Sequence, residues 1–147
     1  DTYFVVAHFH YVLVPGAVFS IIAGIYYWIP KWTGVMYHEG LGKFHFWWSA
    51  VWINVTFFVQ HFVGLAGFQR RVPDYPLMFT DWNMISSVGA FMFFIGQFVF
   101  IYNMIRCMNK SWPTKATAQV WEGATGLEWT VPSPAPYHTF EIPPQVK

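Results

Sequence analysis

Two histidines carry the chemistry that this chain most clearly offers. His8 and His10 stand in AHFHYV, residues 7–12, within a stretch from residue 2 to residue 30 that holds no Asp, Glu, Lys or Arg. An imidazole inside an apolar span is costly, which makes it a functional-site hypothesis by default. Helical residues advance about 100° each, so positions i and i+2 point about 200° apart. In a regular helix the pair cannot grip one common metal ion, yet it can serve two sites on opposite sides of the same helix. Imidazole is an axial ligand for haem iron, and its other ring nitrogen can be fixed by a hydrogen bond within the protein. Two haems flanking one helix would stand close enough for electron transfer, with Phe9 between their ligands. Each face near residue 9 would then be covered by a large planar apolar group rather than by lipid. On spacing alone two alternatives stay open: hydrogen bonding of each imidazole to a neighbouring helix, and one metal bound by a single histidine together with ligands from other helices.

Arg70 and Arg71 are the second feature. Two adjacent arginines are either a solvated pair or a site for anionic partners at a membrane edge, and a guanidinium fork matches a carboxylate bidentately where lysine does not. Haem propionates are such carboxylates, and residues 8, 10 and 70 fall near the same membrane surface if the second span returns antiparallel to the first. Asp1 offers an oxygen ligand suited to Mg²⁺, although one carboxylate makes no site. His45 and His61 read as interhelical hydrogen-bonding groups. Cys107, the single cysteine, excludes an internal disulfide and reads as a small apolar side chain.

The elements that must position these residues follow from the charge pattern. Residues 2–30, 44–69 and 82–105 are free of Asp, Glu, Lys and Arg, and each run exceeds the roughly 20 residues needed to cross a hydrocarbon core. The 147-residue chain is 55% hydrophobic and only 10% charged, against about 25% charged in a soluble domain. The expected fold is an all-α integral membrane protein with three transmembrane helices, at about 3–30, 44–68 and 82–105. Residues 1–110 would form this core, and residues 111–147, rich in proline, an extended extramembrane tail. Trp121, Trp129, Tyr137 and Phe140 would anchor that tail on a larger assembly. Lys31, Lys43, Arg106, Lys110 and Lys115 fall on one side and only Arg70 and Arg71 on the other, so the majority side should face the cytoplasm or its organellar equivalent. With a net charge of +1 and no longer basic run than the Arg70–Arg71 pair, nothing suggests nucleic acid binding. The chain reads as the C-terminal part of a longer one, since apolar sequence starts at once after Asp1.

Four stretches together resemble subunit I of the haem-copper terminal oxidases, most closely the aa3-type cytochrome c oxidases. They are DTYFVVAHFHYVL at residues 1–13, VGLAGFQRRVPDYP at 63–76, FTDWNMISSVGAF at 79–91 and WEGATGLEWTVPSPAPYHTF at 121–140. The resemblance covers essentially the whole chain and implies the last three helices of a twelve-helix bundle. It implies that His8 is the ligand of high-spin haem a3, where oxygen is reduced, and that His10 is a ligand of low-spin haem a. It further implies that Phe9 lies between the haems, that Arg70 and Arg71 hold haem propionates, and that Asp1 belongs to a magnesium site at a subunit interface. Asp74 is assigned loop structure only. The ligands of copper B would lie on helices outside this chain.

The implied partners are the N-terminal portion of subunit I, subunit II with its dinuclear copper centre, subunit III, cytochrome c and membrane lipids. The implied setting is a bacterial cytoplasmic membrane or a mitochondrial inner membrane. Val14 and Pro15 depart from the animal mitochondrial pattern, where serine and methionine are more familiar, and this leaves the bend of the first helix open. The rival within the superfamily is a quinol oxidase subunit I, and a rival from another class is a redox-inert three-helix piece of a transporter or assembly factor.

Overall fold

The computed structural model describes residues 1–145 and is mostly helical. Helix α1 runs Tyr3–Leu13, α2 Phe19–Thr33, α3 Glu39–Leu65 and α4 Thr80–Met108, with short 3₁₀ turns at Leu77–Phe79 and Leu127–Thr130. A π-helical turn, Val14–Val18, joins α1 to α2 without breaking the helical path. Its cause is Pro15. Proline has no N–H to donate and its ring crowds the preceding turn, so the ladder resets, and the Phe19 N–H reaches back to the Val14 carbonyl. The bend left open by Val14 and Pro15 is therefore a π turn located just after the two histidines.

Two helices are long and apolar enough to cross a membrane, Tyr3–Thr33 and Leu77–Met108. Helix α3, at 27 residues, is of similar length, but Ser49, Asn54, Thr56, Gln60 and His61 dilute its apolar character.

Residues 1–23 and 39–101 pack as one compact unit. Here α1 runs antiparallel to α3. The Tyr3 N–H donates to the Phe68 carbonyl at 3.0 Å, and an isolated antiparallel bridge joins Thr2 to Gln69. Gly64 allows the two helices to touch, because a Cβ there would collide with the Phe4 backbone. Tyr3, Val63, Phe68 and Phe79 form a small apolar core at this end. Helix α4 packs antiparallel on α3 through two further glycines: a Cβ on Gly89 would lie 2.7 Å from the Thr56 amide nitrogen, and one on Gly96 would meet the Trp48 ring. Small residues at helix contacts are how apolar helices approach closely enough for dispersion to hold them.

The α3–α4 contact is laced with hydrogen bonds. Trp48 Nε1 donates to the Met92 carbonyl at 2.6 Å, Gln60 Nε2 to Ser86 Oγ at 2.9 Å, and Ser86 Oγ to the Thr56 carbonyl at 2.8 Å. Gln97 meets His45 Nε2 at 3.3 Å and donates to Ser49 Oγ at 3.3 Å. Besides its apolar core, this unit buries the polar side chains of His45, Ser49, Thr56 and Ser86, while Trp47, Phe58, Phe91, Phe94 and Phe98 are exposed. Buried polar side chains and exposed aromatic ones depart from the ordinary arrangement of a protein solvated by water.

The second unit comprises Gly24–His38 and the chain from Tyr102 onward. Its boundaries fall within α2 and α4, because the tail packs on the end of α2. Trp129 and Val131 are buried. The Met36 N–H donates to the Thr114 carbonyl and the Ala116 N–H to the Gly34 carbonyl, each at 2.9 Å. Gly34 ends α2 with φ +77°, and a Cβ there would lie 2.8 Å from both Pro134 Cδ and the Ser133 carbonyl oxygen. Lys31, just past the expected end of the first span at residue 30, is a buried residue of α2. Its ammonium donates to the carbonyls of Val131 at 2.5 Å and Ala118 at 3.1 Å, and to Ser133 Oγ at 3.2 Å. Tyr27 meets the rings of Trp121 and Trp129, and Trp121 Nε1 donates to the Tyr27 carbonyl at 2.9 Å. Of the four tail aromatics, Trp129 is therefore internal, whereas Tyr137 and Phe140 are exposed.

Candidate functional site

His8 and His10 both lie on α1, and their surroundings differ. His10 is half-buried against α3. Its Nδ1 is 2.8 Å from the carbonyl oxygen of Val6, one turn earlier. A carbonyl can only accept, so Nδ1 carries a proton, and in the neutral ring the lone pair is left on Nε2. The imidazole stacks on Phe57 of α3, with ring centroids 4.2 Å apart and planes 11° from parallel, and Phe9 approaches it at 4.3 Å. His8 is exposed, and no hydrogen bond or ring contact reaches it from the described residues. Both of its nitrogens are available to a ligand.

At the start of the same helix, Asp1 and Arg70 are brought together. Arg70 Nε donates to Asp1 Oδ1 at 2.9 Å, and the Arg70 N–H donates to the Asp1 carbonyl at 3.1 Å. The arginine side chain is largely covered, at 25% exposure, while the carboxylate is 79% exposed. Arg70 retains both Nη groups without a hydrogen bond among the described residues. Arg71 is exposed and its backbone adopts φ 65°, a left-handed conformation uncommon for a residue with a Cβ. The two arginines thus differ, one tied to Asp1 and the other free of protein partners among the described residues.

His45 and His61 play packing roles. His45 is buried and bonds to Gln97 of α4, the interhelical contact expected of it, and it stacks on Phe100. Among the described residues His61 makes no such bond. Its Nδ1 is 3.2 Å from the Phe58 carbonyl of its own helix, so that nitrogen donates, and its ring meets Phe4 and Tyr11 of α1 edge-on. Among the described residues, no three His, Cys, Asp or Glu side chains gather around one point where a metal ion would fit.

The family model for "Cytochrome C and Quinol oxidase polypeptide I" matches residues 1–92, a span that includes all six residues singled out above: Asp1, His8, Phe9, His10, Arg70 and Arg71. The chain belongs to this oxidase polypeptide I family. It is 49% identical over 145 residues to cytochrome c oxidase subunit 1 of Cereibacter sphaeroides, covering 99% of this chain and 26% of that protein. It is 44% identical over 158 residues to cytochrome c oxidase subunit 1 of Yarrowia lipolytica, covering 97% of this chain and 30% of that one. For the subunit 1 of Bacillus sp. strain PS3 the identity is 42% over 150 residues, covering all of this chain and 24% of the relative. The oxidase polypeptide I chain described here thus spans about a quarter of the length of these relatives.

Sequence reasoning about this oxidase chain did not reach Phe57, the Val6 carbonyl or the Asp1–Arg70 pair. Phe57 is one aromatic among many in α3, and only the antiparallel register of α1 on α3 selects it. The Val6 contact was open to inference, since a histidine at position i of a helix can donate to the carbonyl at i−4.

Proposed function

We propose that this chain is the C-terminal part of the catalytic subunit of a cytochrome c oxidase and supplies an axial histidine to each of two haems. The observation that carries the proposal is the donation from His10 Nδ1 to the Val6 carbonyl. That bond holds the imidazole in the tautomer whose Nε2 is a free neutral donor, the state a ligating histidine needs. His8, exposed on α1 without a protein partner among the described residues, offers the second ligand. The donor set fits haem: two single imidazoles on one apolar helix suit axial ligation, in which a porphyrin supplies the remaining nitrogens. In this reading His10 ligates low-spin haem a, His8 ligates high-spin haem a3, and Phe9 stands between them. When bound, the haems and copper B carry electrons and reduce O₂ to water; the copper ligands lie outside this chain.

The protein residues then have separate tasks. His8 and His10 hold and orient the two groups. Arg71, together with the free Nη groups of Arg70, offers guanidinium donors for propionate carboxylates. Asp1 presents carboxylate oxygen for magnesium at a subunit interface, while its pairing with Arg70 fixes the start of α1 relative to the end of α3.

Three membrane-spanning helices, at about 3–30, 44–68 and 82–105, form part of a twelve-helix bundle in this proposal, with residues 111–147 outside the membrane. Helix α3 meets the length requirement, since 27 residues extend about 40 Å at 1.5 Å each. Ser49, Thr56 and Gln60 hydrogen-bond with α4, while Asn54 and His61 face α1, so that hydrocarbon meets chiefly aromatic and aliphatic side chains. The partners are the N-terminal portion of subunit I, subunit II with dinuclear copper, subunit III, cytochrome c and membrane lipid, in a bacterial cytoplasmic or mitochondrial inner membrane. Proton translocation coupled to oxygen reduction belongs to that complete assembly. The names of the three relatives support cytochrome c over quinol as the electron donor.

The test is a reduced-minus-oxidised optical spectrum of the complete oxidase with each histidine replaced separately. His10→Ala should remove the low-spin haem a bands and His8→Ala should alter the high-spin ones. Unchanged spectra in correctly assembled protein would refute both assignments.

A further inference from the structure

We infer that Phe57 is a positioning residue for the His10 imidazole, setting the plane in which that ring presents Nε2 to iron. The inference rests on the reading of His10 as the low-spin haem ligand and concerns what fixes its orientation.

An imidazole on a helix can turn about its Cβ–Cγ bond. Terminal torsions to flat rings have broad wells, so rotamer preference alone does not fix the ring plane. Phe9 approaches the ring at 4.3 Å but is tilted 31° from its plane, and two closer-fitting contacts define that plane. The Nδ1 bond to the Val6 carbonyl, 2.8 Å long, holds one edge. Phe57 holds the face, since its ring is 11° from parallel at a centroid separation of 4.2 Å. A turn of the imidazole would drive its edge into the phenyl ring. The hydrogen bond by itself tolerates a range of tilt, because acceptor directions at a carbonyl are broad; the stack narrows that range.

Phe57 is in turn held in place. It projects from α3, and the antiparallel contact of α1 and α3 is fixed on one side of it by Gly64 against Phe4 and on the other by the hydrogen bond from Tyr11 to Asn54. His8 has no corresponding ring stacked on it among the described residues, so the device is specific to His10. The plane of an axial imidazole governs how its π orbital overlaps the iron d orbitals. A low-spin haem reports that overlap in its g-anisotropy and its reduction potential, two of the levers by which a protein tunes a haem.

The experiment uses the complete oxidase purified with its own haems, in wild-type form and as Phe57→Leu, Phe57→Tyr and His10→Ala. The readouts are the EPR spectrum of the oxidised low-spin haem and a redox titration of the same haem. Phe57→Leu keeps apolar bulk and loses the flat face, so it should shift or broaden the low-spin g values and move that midpoint potential, leaving the high-spin haem spectrum unchanged. Phe57→Tyr keeps the flat face and should retain wild-type g values. If Phe57→Leu does not assemble, Phe57→Met makes the same comparison. Wild-type g values and potential in the Leu or Met variant, with His10→Ala abolishing the low-spin signal, would overturn the positioning role and leave the ligand reading intact. A low-spin signal that survives His10→Ala would overturn the ligand reading, and the positioning role with it.

Discussion

Arg70 meets Asp1 twice, once through its backbone N–H and once through Nε at 2.9 Å from the carboxylate. The double contact ties the first residue of the chain to the loop that follows α3. Two tasks proposed for separate residues, anion binding and metal binding, thus fall on neighbouring groups. An exposed carboxylate limits what the pair adds to stability to less than about 1 kcal/mol, so Asp1→Asn should leave the melting of the complete oxidase nearly unchanged. If Asp1 ligates the divalent ion, the same substitution should weaken or abolish the EPR signal of Mn²⁺ introduced in place of Mg²⁺. A normal Mn²⁺ signal in Asp1→Asn would restrict Asp1 to its pairing with Arg70.

Gly64 is the point of closest approach between α1 and α3, where a Cβ would strike the Phe4 backbone. Backbone cannot yield as a flexible side chain does, so the helices must separate. Gly64→Ala should cost about 1–3 kcal/mol, the usual penalty of overpacking. It should also reduce the yield of haem-loaded protein, read from the haem-to-protein ratio after purification. A wild-type ratio and melting temperature would show that the helices part more easily than the contact implies.

Lys31 is a buried cation whose partners are backbone carbonyls and one hydroxyl of the tail. Lys31→Met fills similar volume but strands these acceptors, at a cost of about 1–3 kcal/mol for a buried group left unpaired. Proteolytic cleavage and amide exchange between residues 115 and 133 should accelerate, while the haem spectra stay as in wild type. Exchange rates equal to wild type would mean that the backbone bonds at Gly34 and Met36 and the aromatic packing around Trp121 and Trp129 hold the tail without Lys31.

Gln97 links α4 to both His45 and Ser49 of α3. Gln97→Leu should lower stability by about 1 kcal/mol, the usual net worth of a hydrogen bond, and the share carried by His45 should vanish in a His45→Leu background while the share carried by Ser49 remains. Full additivity of the two substitutions would show that the contact contributes no coupling.

Much of the helical layout was legible because it depends on local pattern. The three charge-free runs locate α1 with α2, α3 and α4, although Pro15 inserts a π turn into the first and Glu39 starts the second several residues before Phe44. What was not legible depends on register between distant segments. His10 announces itself by residue type within an apolar run, but its companion Phe57 emerges only once Gly64 has set α1 against α3. Proline content suggested an extended tail, yet Lys31 and Tyr27 of α2 give Trp121, Trp129 and Val131 something to pack on. Those contacts join residues roughly 90–100 positions apart, beyond the reach of any periodicity.

The most direct measurement is low-temperature magnetic circular dichroism of the oxidised complete oxidase, which counts low-spin and high-spin ferric haem separately. Ligation of two irons from opposite sides of α1 predicts that His10→Ala abolishes the low-spin component alone and His8→Ala changes the high-spin component alone. Loss of the same component in both variants, or of neither, would contradict it.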